Sequence, residues 1–369
     1  MQRVMGVINL AEPVENMEYL TEHRSLGAVP FGGRYRMIDF TLSNLVNAGV
    51  VNVSIFVRDR YRALMDHLGT GKEWDLDRHR DGLFLLPPDG LDQSAGRGDI
   101  ELMARHLDYF TRSRQDTVIL SGTSMLCNMD YRQAVEYHRE NQADITMIYK
   151  PGGLTDYEDC ATLLDIDHQQ RVRGIQVNPV IPRSRNLSMN MYILSKELLV
   201  EVLDQALARG GKNWVRDCVI ANLDQLKIIG YPFTGYLGNV CSLRSYYRTT
   251  MELLRPGVSR ELFFRAGLVY TKVKNEAPTR YTDTAKVTNS LIANGCVIEG
   301  HVENSVLFRG VKVAKGAVVK DSVLMQKSVI GEQCHLQHVI LDKDVSISPG
   351  KHLMGDPDYP LVLRKGTIL

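Results

Sequence analysis

The sequence predicts an α/β domain with a mixed, mostly parallel sheet, followed by a left-handed parallel β-helix. In the first part of the chain, short apolar segments typical of strands alternate with amphipathic segments typical of helices. This alternation is the order of a parallel α/β sheet with right-handed crossovers. From Val287 onward, valines and isoleucines recur at six-residue spacing among small and polar residues. This hexapeptide period indicates a parallel β-helix.

The α/β part begins with a buried strand at 4–8, and an amphipathic helix starts at Met37 and ends at Gly49, a C-cap glycine. A strand follows at 50–57. Further helices are predicted at 61–68, 100–110, 130–141, 196–208 and 245–254. Further strands are predicted at 117–120, 144–149, 161–166, 172–176, 189–194, 226–230 and 233–236. Because ligands bind at the carboxyl ends of parallel strands, we expect a site beside Asn9 and Leu120–Ser124.

The patterns divide the chain into an α/β domain (1–240), a linker helix region (241–270) and the β-helix (271–369). Pro256-Gly257 is the best linker candidate, because this dipeptide commonly marks a loop. The six-residue spacing places apolar side chains on the axis of a triangular coil. The pattern includes Val318, Leu324, Ile330 and Leu336, and also Val323 with Val329. An ordinary β-sandwich fits less well, since it predicts period-two strands with turns every ~8–12 residues.

Composition restricts the class of protein. The chain has 369 residues, of which 44% are hydrophobic and 24% charged, as expected for a soluble globular protein of two or more domains. A net charge of +1 argues against a nucleic-acid partner. Without a signal peptide or an apolar run of ~20 residues, we expect no membrane partner and a cytoplasmic location. The six cysteines are scattered along the chain, and we expect them to be reduced and mostly buried, with neither zinc nor disulfides. They are Cys127, Cys160, Cys218, Cys241, Cys296 and Cys334.

The segment from His23 to Gly49 has the clearest local chemistry. Its positive charges, Arg24, Arg34 and Arg36, surround a tight Gly32-Gly33 turn that leads into the predicted helix. A basic loop that enters a helix beside a parallel sheet is a phosphate-binding arrangement, because free N–H groups and guanidinium groups meet there. The alternative is a plain connection with solvated arginines.

Two motifs resemble those of a known family. The segment Val29–Phe40, VPFGGRYRMIDF, and the later Ser188–Tyr192, SMNMY, resemble the bacterial glucose-1-phosphate adenylyltransferases. These enzymes join ATP to glucose 1-phosphate and release pyrophosphate. The resemblance runs from the first strand to the β-helix, and it implies a Rossmann-like nucleotidyltransferase domain followed by hexapeptide repeats.

The resemblance fails at the positions where the family has its catalytic groups. The segment 6–13 replaces the glycine-rich triphosphate loop, and Glu12 would repel phosphate. The positions of the catalytic-loop lysine, the two magnesium-binding aspartates and the sugar-phosphate lysine fall on or near Leu26, Thr123, Val240 and Asn178. Because phosphoryl transfer depends on charge neutralisation and magnesium prefers carboxylates, we predict no catalytic residue, metal or cofactor in this chain. Mg²⁺ is expected only in a catalytic partner.

The resemblance therefore implies a non-catalytic regulatory subunit of the GlgD type. Such a subunit would form a heterotetramer with a catalytic glucose-1-phosphate adenylyltransferase that makes ADP-glucose for glycogen. Family enzymes bind phosphorylated or nucleotide effectors between their two domains, through arginines that correspond to Arg24 and Arg36. With Arg34 and His23 nearby, we expect an anion site that faces the β-helix. The alternative is that these arginines are structural ion-pair partners, for example of Asp39.

Two further functions stay open. The first is an active nucleotidyltransferase with an unusual metal site at Asp99 and Glu101, in the segment Arg97-Gly98-Asp99-Ile100-Glu101 that partly retains a family motif. The second is a sugar-phosphate-sensing scaffold that never contacts the pathway enzyme.

Overall fold

The computed structural model describes residues 1–10, 17–88, 98–154 and 160–369. Glu12 of the replaced phosphate loop and Arg97 lie outside these ranges. None of the helices within them has the length and apolarity that a bilayer crossing needs.

The first domain is built on a sheet in which nine strands are described, with two short strand pairs beside it. The strands of this domain are β1 (Val4–Asn9), β2 (Pro30–Phe31), β3 (Tyr35–Arg36), β4 (Asn52–Phe56), β5 (Gly82–Leu86), β6 (Thr117–Ser121), β7 (Met125–Leu126), β8 (Ile145–Lys150), β9 (Thr162–Ile166), β10 (Val172–Val177), β11 (Leu187–Ser195), β12 (Ile228–Pro232) and β13 (Gly238–Asn239). β1 lies between β4 and β6 and runs parallel to both, and β5 extends this parallel side. β11 runs antiparallel between β6 and β8, and β9 and β10 form an edge hairpin. The predicted mixed, mostly parallel sheet is confirmed.

Helices cover the sheet and lead into the second domain. They are α1 (Glu18–Thr21), α2 (Met37–Asn47), α3 (Arg62–Leu68), α4 (Asp99–Ala104), α5 (Leu107–Arg112), α6 (Tyr131–Glu140), α7 (Lys196–Ala208), α8 (Leu243–Glu252) and α9 (Pro256–Phe264). The helix predicted over 100–110 is thus two helices, and the strand predicted at 233–236 does not form. Pro256-Gly257 is not a linker. Pro256 occupies the first turn of α9, where its missing N–H has no intrahelical partner to lose.

The second domain is a stack of coils whose strands form three parallel sheets, each with five described strands. The strands are β14 (Arg280–Tyr281), β15 (Lys286–Thr288), β16 (Leu291–Ile292), β17 (Val297–Ile298), β18 (His301–Glu303), β19 (Val306–Leu307), β20 (Lys312–Val313), β21 (Val318–Lys320), β22 (Val323–Leu324), β23 (Val329–Ile330), β24 (His335–Gln337), β25 (Val339–Leu341), β26 (Ser346–Ile347), β27 (His352–Met354) and β28 (Leu361–Leu363). The predicted left-handed β-helix is confirmed.

The repeat of this β-helix is not a strict six-residue period. In successive coils, one position on the axis is held by Val302, Val319 and Leu336, which pair in register. Within a coil, the next axis residues after Val319 are Leu324 and Ile330, so one corner has one residue fewer than the others. The inward position therefore shifts by one residue in every coil. For this reason Val318 and Val329, which the six-residue pattern placed on the axis, are partly exposed.

A hydrophobic cluster joins the two domains. Its buried members come from the first domain, from α8 and α9, and from the β-helix, and they include Phe31, Tyr35, Phe40, Tyr246, Phe263, Phe308, Val323, Met325 and Ile340. The ring centroids of Tyr35 and Phe263 are 5.0 Å apart, and those of Phe31 and Phe40 are 5.6 Å apart. The burial of each large apolar side chain here contributes about 1.5–3 kcal/mol to the stability of the folded chain. The two domains therefore pack through a shared apolar core.

The cysteine prediction is wrong for one pair. Cys160 and Cys241 are joined by a disulfide, although 81 residues separate them. They meet because β13 brings residue 241 next to the start of the β9–β10 hairpin, and scattered spacing in the sequence does not reveal such a contact. The other four cysteines are free and buried, as predicted.

The close approach of the domains at Gly33 gives a first prediction. Gly33 has a φ of +80°, and an added Cβ would lie 2.6 Å from Cδ2 of Leu291 in the β-helix. We expect Gly33→Ala to reduce the free energy of unfolding by about 2–4 kcal/mol, because left-handed backbone strain adds to the displacement of Leu291. Urea unfolding followed by circular dichroism measures the loss.

Gly210→Ala is the matched control. Gly210 has a φ of +77°, but an added Cβ there would meet no atom within 4 Å, so only the strain of about 1–2 kcal/mol applies. Equal losses in the two variants would contradict a tight contact between the domains at Gly33.

Candidate functional site

Buried polar groups gather where β1 ends. Asn9 donates from Nδ2 to Oδ2 of Asp99 over 3.2 Å. The other carboxylate oxygen of Asp99 accepts the backbone N–H groups of Ile100 and Trp214, each at 3.0 Å. Burial raises the pKa of Asp99 to about 6, while these hydrogen bonds favour its ionised form. The carboxylate of Asp99 thus fastens α4 and the Trp214 segment to the end of β1.

This geometry does not favour a metal at Asp99 and Glu101. The carboxylate of Glu101 pairs with the guanidinium of Arg105 at 2.8 Å, one helical turn further along. In the described part of the chain, no three His, Cys, Asp or Glu side chains are placed to hold a metal ion. The residues that the structure describes therefore do not fit a magnesium site of the family's kind.

The altered catalytic positions are occupied by neutral side chains. Leu26 belongs to a short 3-10 helix and packs against the interdomain hydrophobic cluster. Thr123 is buried, and within the described ranges its hydroxyl has no hydrogen-bond partner. Asn178 is exposed in the hairpin, where its Oδ1 accepts the N–H of Ala161 at 2.9 Å. None of these side chains supplies a charge for binding phosphate or magnesium.

The fourth altered position, Val240, lies next to a polar side chain. Val240 is fully buried and belongs to the interdomain hydrophobic cluster. The preceding residue, Asn239 in β13, donates from Nδ2 to the carbonyl oxygen of Cys160 at 2.8 Å. Asn239 is therefore the polar side chain at this point of the chain. A prediction of β13 from the sequence would have shown that Asn239 and Val240 point to opposite sides, because successive side chains alternate along a strand.

Arg24 forms an ion pair across the domain interface. Its two terminal nitrogens donate to the two carboxylate oxygens of Asp342, each over 2.8 Å, and both side chains are almost fully buried. Asp342 directly follows β25 in the β-helix. In this structure Arg24 is thus an ion-pair partner, and its carboxylate is Asp342 rather than Asp39.

Arg36 lies between α2 and α3. Its backbone N–H donates to Asp39 Oδ2 at 2.9 Å, and its guanidinium donates to the carbonyl oxygen of Ala63 at 2.7 Å. Burial, together with repulsion from Arg24, lowers the pKa of Arg36 to about 10, although the carboxylate of Asp39 raises it. Asp39 also contacts Nε2 of His67 at 2.6 Å, and burial lowers the pKa of that imidazole. The guanidinium of Arg36 is therefore bonded to a carbonyl and not to a carboxylate.

Three further cations complete a group that we name the interdomain cation cluster. Its members are Arg24, Arg36, Lys274, Arg309 and Lys343. Burial, together with repulsion from Arg36 and Arg24, lowers the pKa of Lys343 to about 7. Burial and neighbouring cations also lower the pKa values of Lys274 and Arg309. Asp39, Asp66, Asp342 and Glu276 supply the neighbouring carboxylates. At Arg36 the attraction of Asp39 outweighs the repulsion of Arg24, whereas at Lys343 the repulsion of the two arginines outweighs the attraction of Asp342.

A pocket of about 310 Å³ adjoins the cluster. Lys274 and Arg309 line it together with Arg34, Lys272, Glu73 and Tyr270. Arg34 is exposed, donates to the hydroxyl of Tyr35 at 2.8 Å and stacks 4.9 Å above its ring. His23 is exposed as well. Because buried positive charge is unfavourable without a counter-charge, the cluster and its pocket are suited to hold an anion.

The Arg24–Asp342 pair gives a second prediction. We expect Asp342→Asn to reduce the free energy of unfolding by about 3–5 kcal/mol, because it leaves Arg24 uncompensated beside Arg36 and Lys343. Asp358→Asn is the control, since Arg244 and Asp358 also pair across the interface at 2.8 Å but are solvent-exposed. The control should change stability by about 0–1 kcal/mol in urea unfolding. Similar losses in both variants would contradict the special role of the buried pair.

The lowered pKa of Lys343 gives a third prediction. The pKa of Lys343 is about 7 in the folded chain, whereas its ordinary value is 10.5. Between these two pH values, the unfolded chain therefore binds more protons at this residue than the folded chain. Its contribution therefore makes stability rise with pH from 7 toward 10, and below pH 7 its full destabilisation is present. Lys343→Met should remove this rise in urea midpoints measured from pH 7 to 9. Lys320→Met is the control, because this exposed lysine pairs with Glu303, and it should leave the rise of the urea midpoint with pH unchanged. A rise in Lys343→Met as steep as in the unmodified chain would contradict the prediction.

Comparisons with known proteins agree with this architecture. Residues 17–252 match the nucleotidyl transferase family, and residues 275–359 match the family described as GlmU-like, C-terminal hexapeptide. The chain is 39% identical to the glycogen biosynthesis protein GlgD of Bacillus subtilis (strain 168) and 42% identical to that of Geobacillus stearothermophilus. Each alignment covers 99% of this chain and 97% of the relative. It is also 34% identical to the glucose-1-phosphate adenylyltransferase of Bacillus thuringiensis (strain Al Hakam), over 95% of this chain and 94% of that protein. The chain therefore belongs to the glucose-1-phosphate adenylyltransferase family of nucleotidyl transferases.

Proposed function

We propose that the chain is a regulatory, non-catalytic subunit of a glucose-1-phosphate adenylyltransferase that acts in glycogen biosynthesis. One observation supports this most strongly. In a fold with relatives named as adenylyltransferases, the positions expected to correspond to the catalytic groups hold Leu26, Thr123, Asn178 and Val240. These neutral side chains cannot offset the charge that develops during phosphoryl transfer.

In this proposal the chain assembles with a catalytic paralogue into a heterotetramer in the cytoplasm. The partner binds Mg²⁺ and converts ATP and glucose 1-phosphate into ADP-glucose and pyrophosphate. The present chain holds no cofactor and shifts the partner toward its active conformation through contacts between subunits. Such a shift requires that the chain bind the active form of the partner more tightly than the inactive form.

The interdomain cation cluster supports an effector site within the same proposal. An anionic sugar phosphate or nucleotide would relieve the repulsion between Arg36 and Lys343, which their partial burial strengthens, and would also attract the exposed Lys274. Arg24 would contribute charge while it stays paired with Asp342. Since Arg36 also donates to Ala63 in α3, an anion that draws its guanidinium away would release a contact between α3 and the domain interface. Arg34 would meet the ligand from the adjoining pocket.

A sugar-phosphate-sensing scaffold is the second candidate. The cluster supports it too, because an anion site between two domains of one chain needs no partner. The two candidates differ in whether the chain binds a catalytic paralogue.

An activity assay of three samples gives the fourth prediction. Pyrophosphate release is measured for this chain alone, for a catalytic glucose-1-phosphate adenylyltransferase alone, and for an equimolar mixture. We expect no activity from this chain, and a several-fold higher rate or a changed effector response in the mixture. Equal rates for the catalytic protein and the mixture would contradict the regulatory role. Activity of this chain alone would favour an unusual active site, and failure to co-elute would favour the scaffold.

Variants of this chain test the effector site in the same mixture. Lys343→Met should preserve assembly but weaken the response to fructose 1,6-bisphosphate or AMP, since it removes one of the buried cations. Lys320→Met again serves as the control, because this lysine lies on the outside of the β-helix and pairs with Glu303. If both variants respond like the unmodified chain, the cluster is not the effector site.

A further inference from the structure

Cys160 and Cys241 meet at a defined point between two elements. Cys160 lies just before β9, and Cys241 directly precedes Ser242, the N-cap residue of α8. Their Cα atoms are 6.5 Å apart, within the ~4.4–6.8 Å that a disulfide spans without backbone movement. The amide of Asn239 also donates to the carbonyl oxygen of Cys160, so a hydrogen bond aligns the two backbones independently of the sulfur atoms.

These two residues differ from the other cysteines in their accessibility. Cys160 and Cys241 are partly exposed, whereas the four free cysteines, Cys127, Cys218, Cys296 and Cys334, are buried. Burial raises the pKa of Cys127 and that of Cys218, each to about 12, so these thiols form little thiolate at neutral pH. Cys241 instead precedes the N-terminus of the ten-residue helix α8, where the helix dipole stabilises a thiolate. The exposed pair is therefore the reactive one.

The helix that follows Cys241 connects the two domains. The hydroxyl of Tyr246 donates to the carbonyl oxygen of Pro30 at 2.7 Å in the first domain. The next residue, Tyr247, donates to the carbonyl oxygen of Asp321 in the β-helix. Tyr247 and Asp321 also line a cavity of about 810 Å³ that extends to Asn239. A bond at Cys241 therefore fastens the β9–β10 edge of the sheet to the helix on which the domain interface depends.

We propose that Cys160 and Cys241 form a reversible redox site that controls how firmly α8 is held against the first domain. The oxidant would be a low-molecular-weight disulfide. The Cys241 thiolate attacks one sulfur of that disulfide, which forms a mixed disulfide and releases one small thiol. The Cys160 thiolate then attacks the Cys241 sulfur and releases the second small thiol. Two electrons pass from the cysteine pair to the small disulfide, and the two cysteine protons end on the two released thiols. Excess small thiol reverses both steps.

A redox titration tests this proposal. The purified full chain is equilibrated with reduced and oxidised glutathione at increasing ratios, free thiols are trapped with N-ethylmaleimide, and peptides are identified by mass spectrometry. We expect Cys160 and Cys241 to lose and regain alkylation together at a single midpoint, as a linked pair, while the four buried cysteines stay free throughout. If no reversible site exists, the alkylated fractions of Cys160 and Cys241 will not change with the ratio of reduced to oxidised glutathione. That result, or a bond that excess thiol does not reduce, would overturn the proposal.

The effect on the interface is measured by thermal unfolding. The oxidised chain should melt at a higher temperature than the reduced chain, because the link restricts the unfolded state across 81 residues. Cys160→Ser and Cys241→Ser should both remove the difference, and circular dichroism confirms that the variants are folded. Equal melting temperatures of the oxidised and reduced unmodified chain would overturn the proposed control of α8. This proposal does not rest on the regulatory function, since neither measurement depends on enzyme activity.

Discussion

The ion pair of Arg24 with Asp342 is the contact on which the domain interface depends. Both charges are almost fully buried, and each would be strongly unfavourable without the other, so the pair fixes the register of the β-helix against the first domain. Around it, the shared hydrophobic cluster excludes water and lowers the local dielectric constant. The same exclusion of water makes the neighbouring positive charges of Arg36 and Lys343 unfavourable. The buried ion pair and the surrounding hydrophobic cluster therefore join the domains, and they also favour the binding of an anion beside Arg36 and Lys343.

The proposed regulatory function accounts for the distribution of charge in this chain. The positions expected to match the catalytic lysines and the magnesium ligands hold the neutral residues Leu26, Thr123, Asn178 and Val240. Asp99 fastens α4 to the end of β1. At the domain interface, burial and repulsion from Arg36 and Arg24 lower the pKa of Lys343, although Asp342 lies beside it. We infer that phosphate chemistry has been lost from the cleft, while phosphate recognition has been kept between the domains. A regulatory subunit needs the second property and not the first.

The fold followed from the sequence because periodicity reports which face of an element is buried. Local patterns could not give the contacts between distant segments. Arg24 was expected to bind an anion, but it pairs with Asp342, which lies in the β-helix. No sequence motif predicts that Lys343 lies close to Arg24. The same limit hid the link between Cys160 and Cys241. Errors within elements had local causes, such as the short corner of each coil that moves the axis position from Val318 to Val319.

Anomalous diffraction tests the central claim most directly. Crystals of the chain are soaked with selenate, as a phosphate analogue, together with Mn²⁺, as a magnesium analogue, and anomalous difference maps locate both ions. We expect a selenium peak within hydrogen-bond distance of Arg36 and Lys343, and no manganese peak beside Thr123 and Val240. A manganese ion bound in the cleft, with the interdomain cation cluster empty of selenate, would contradict it.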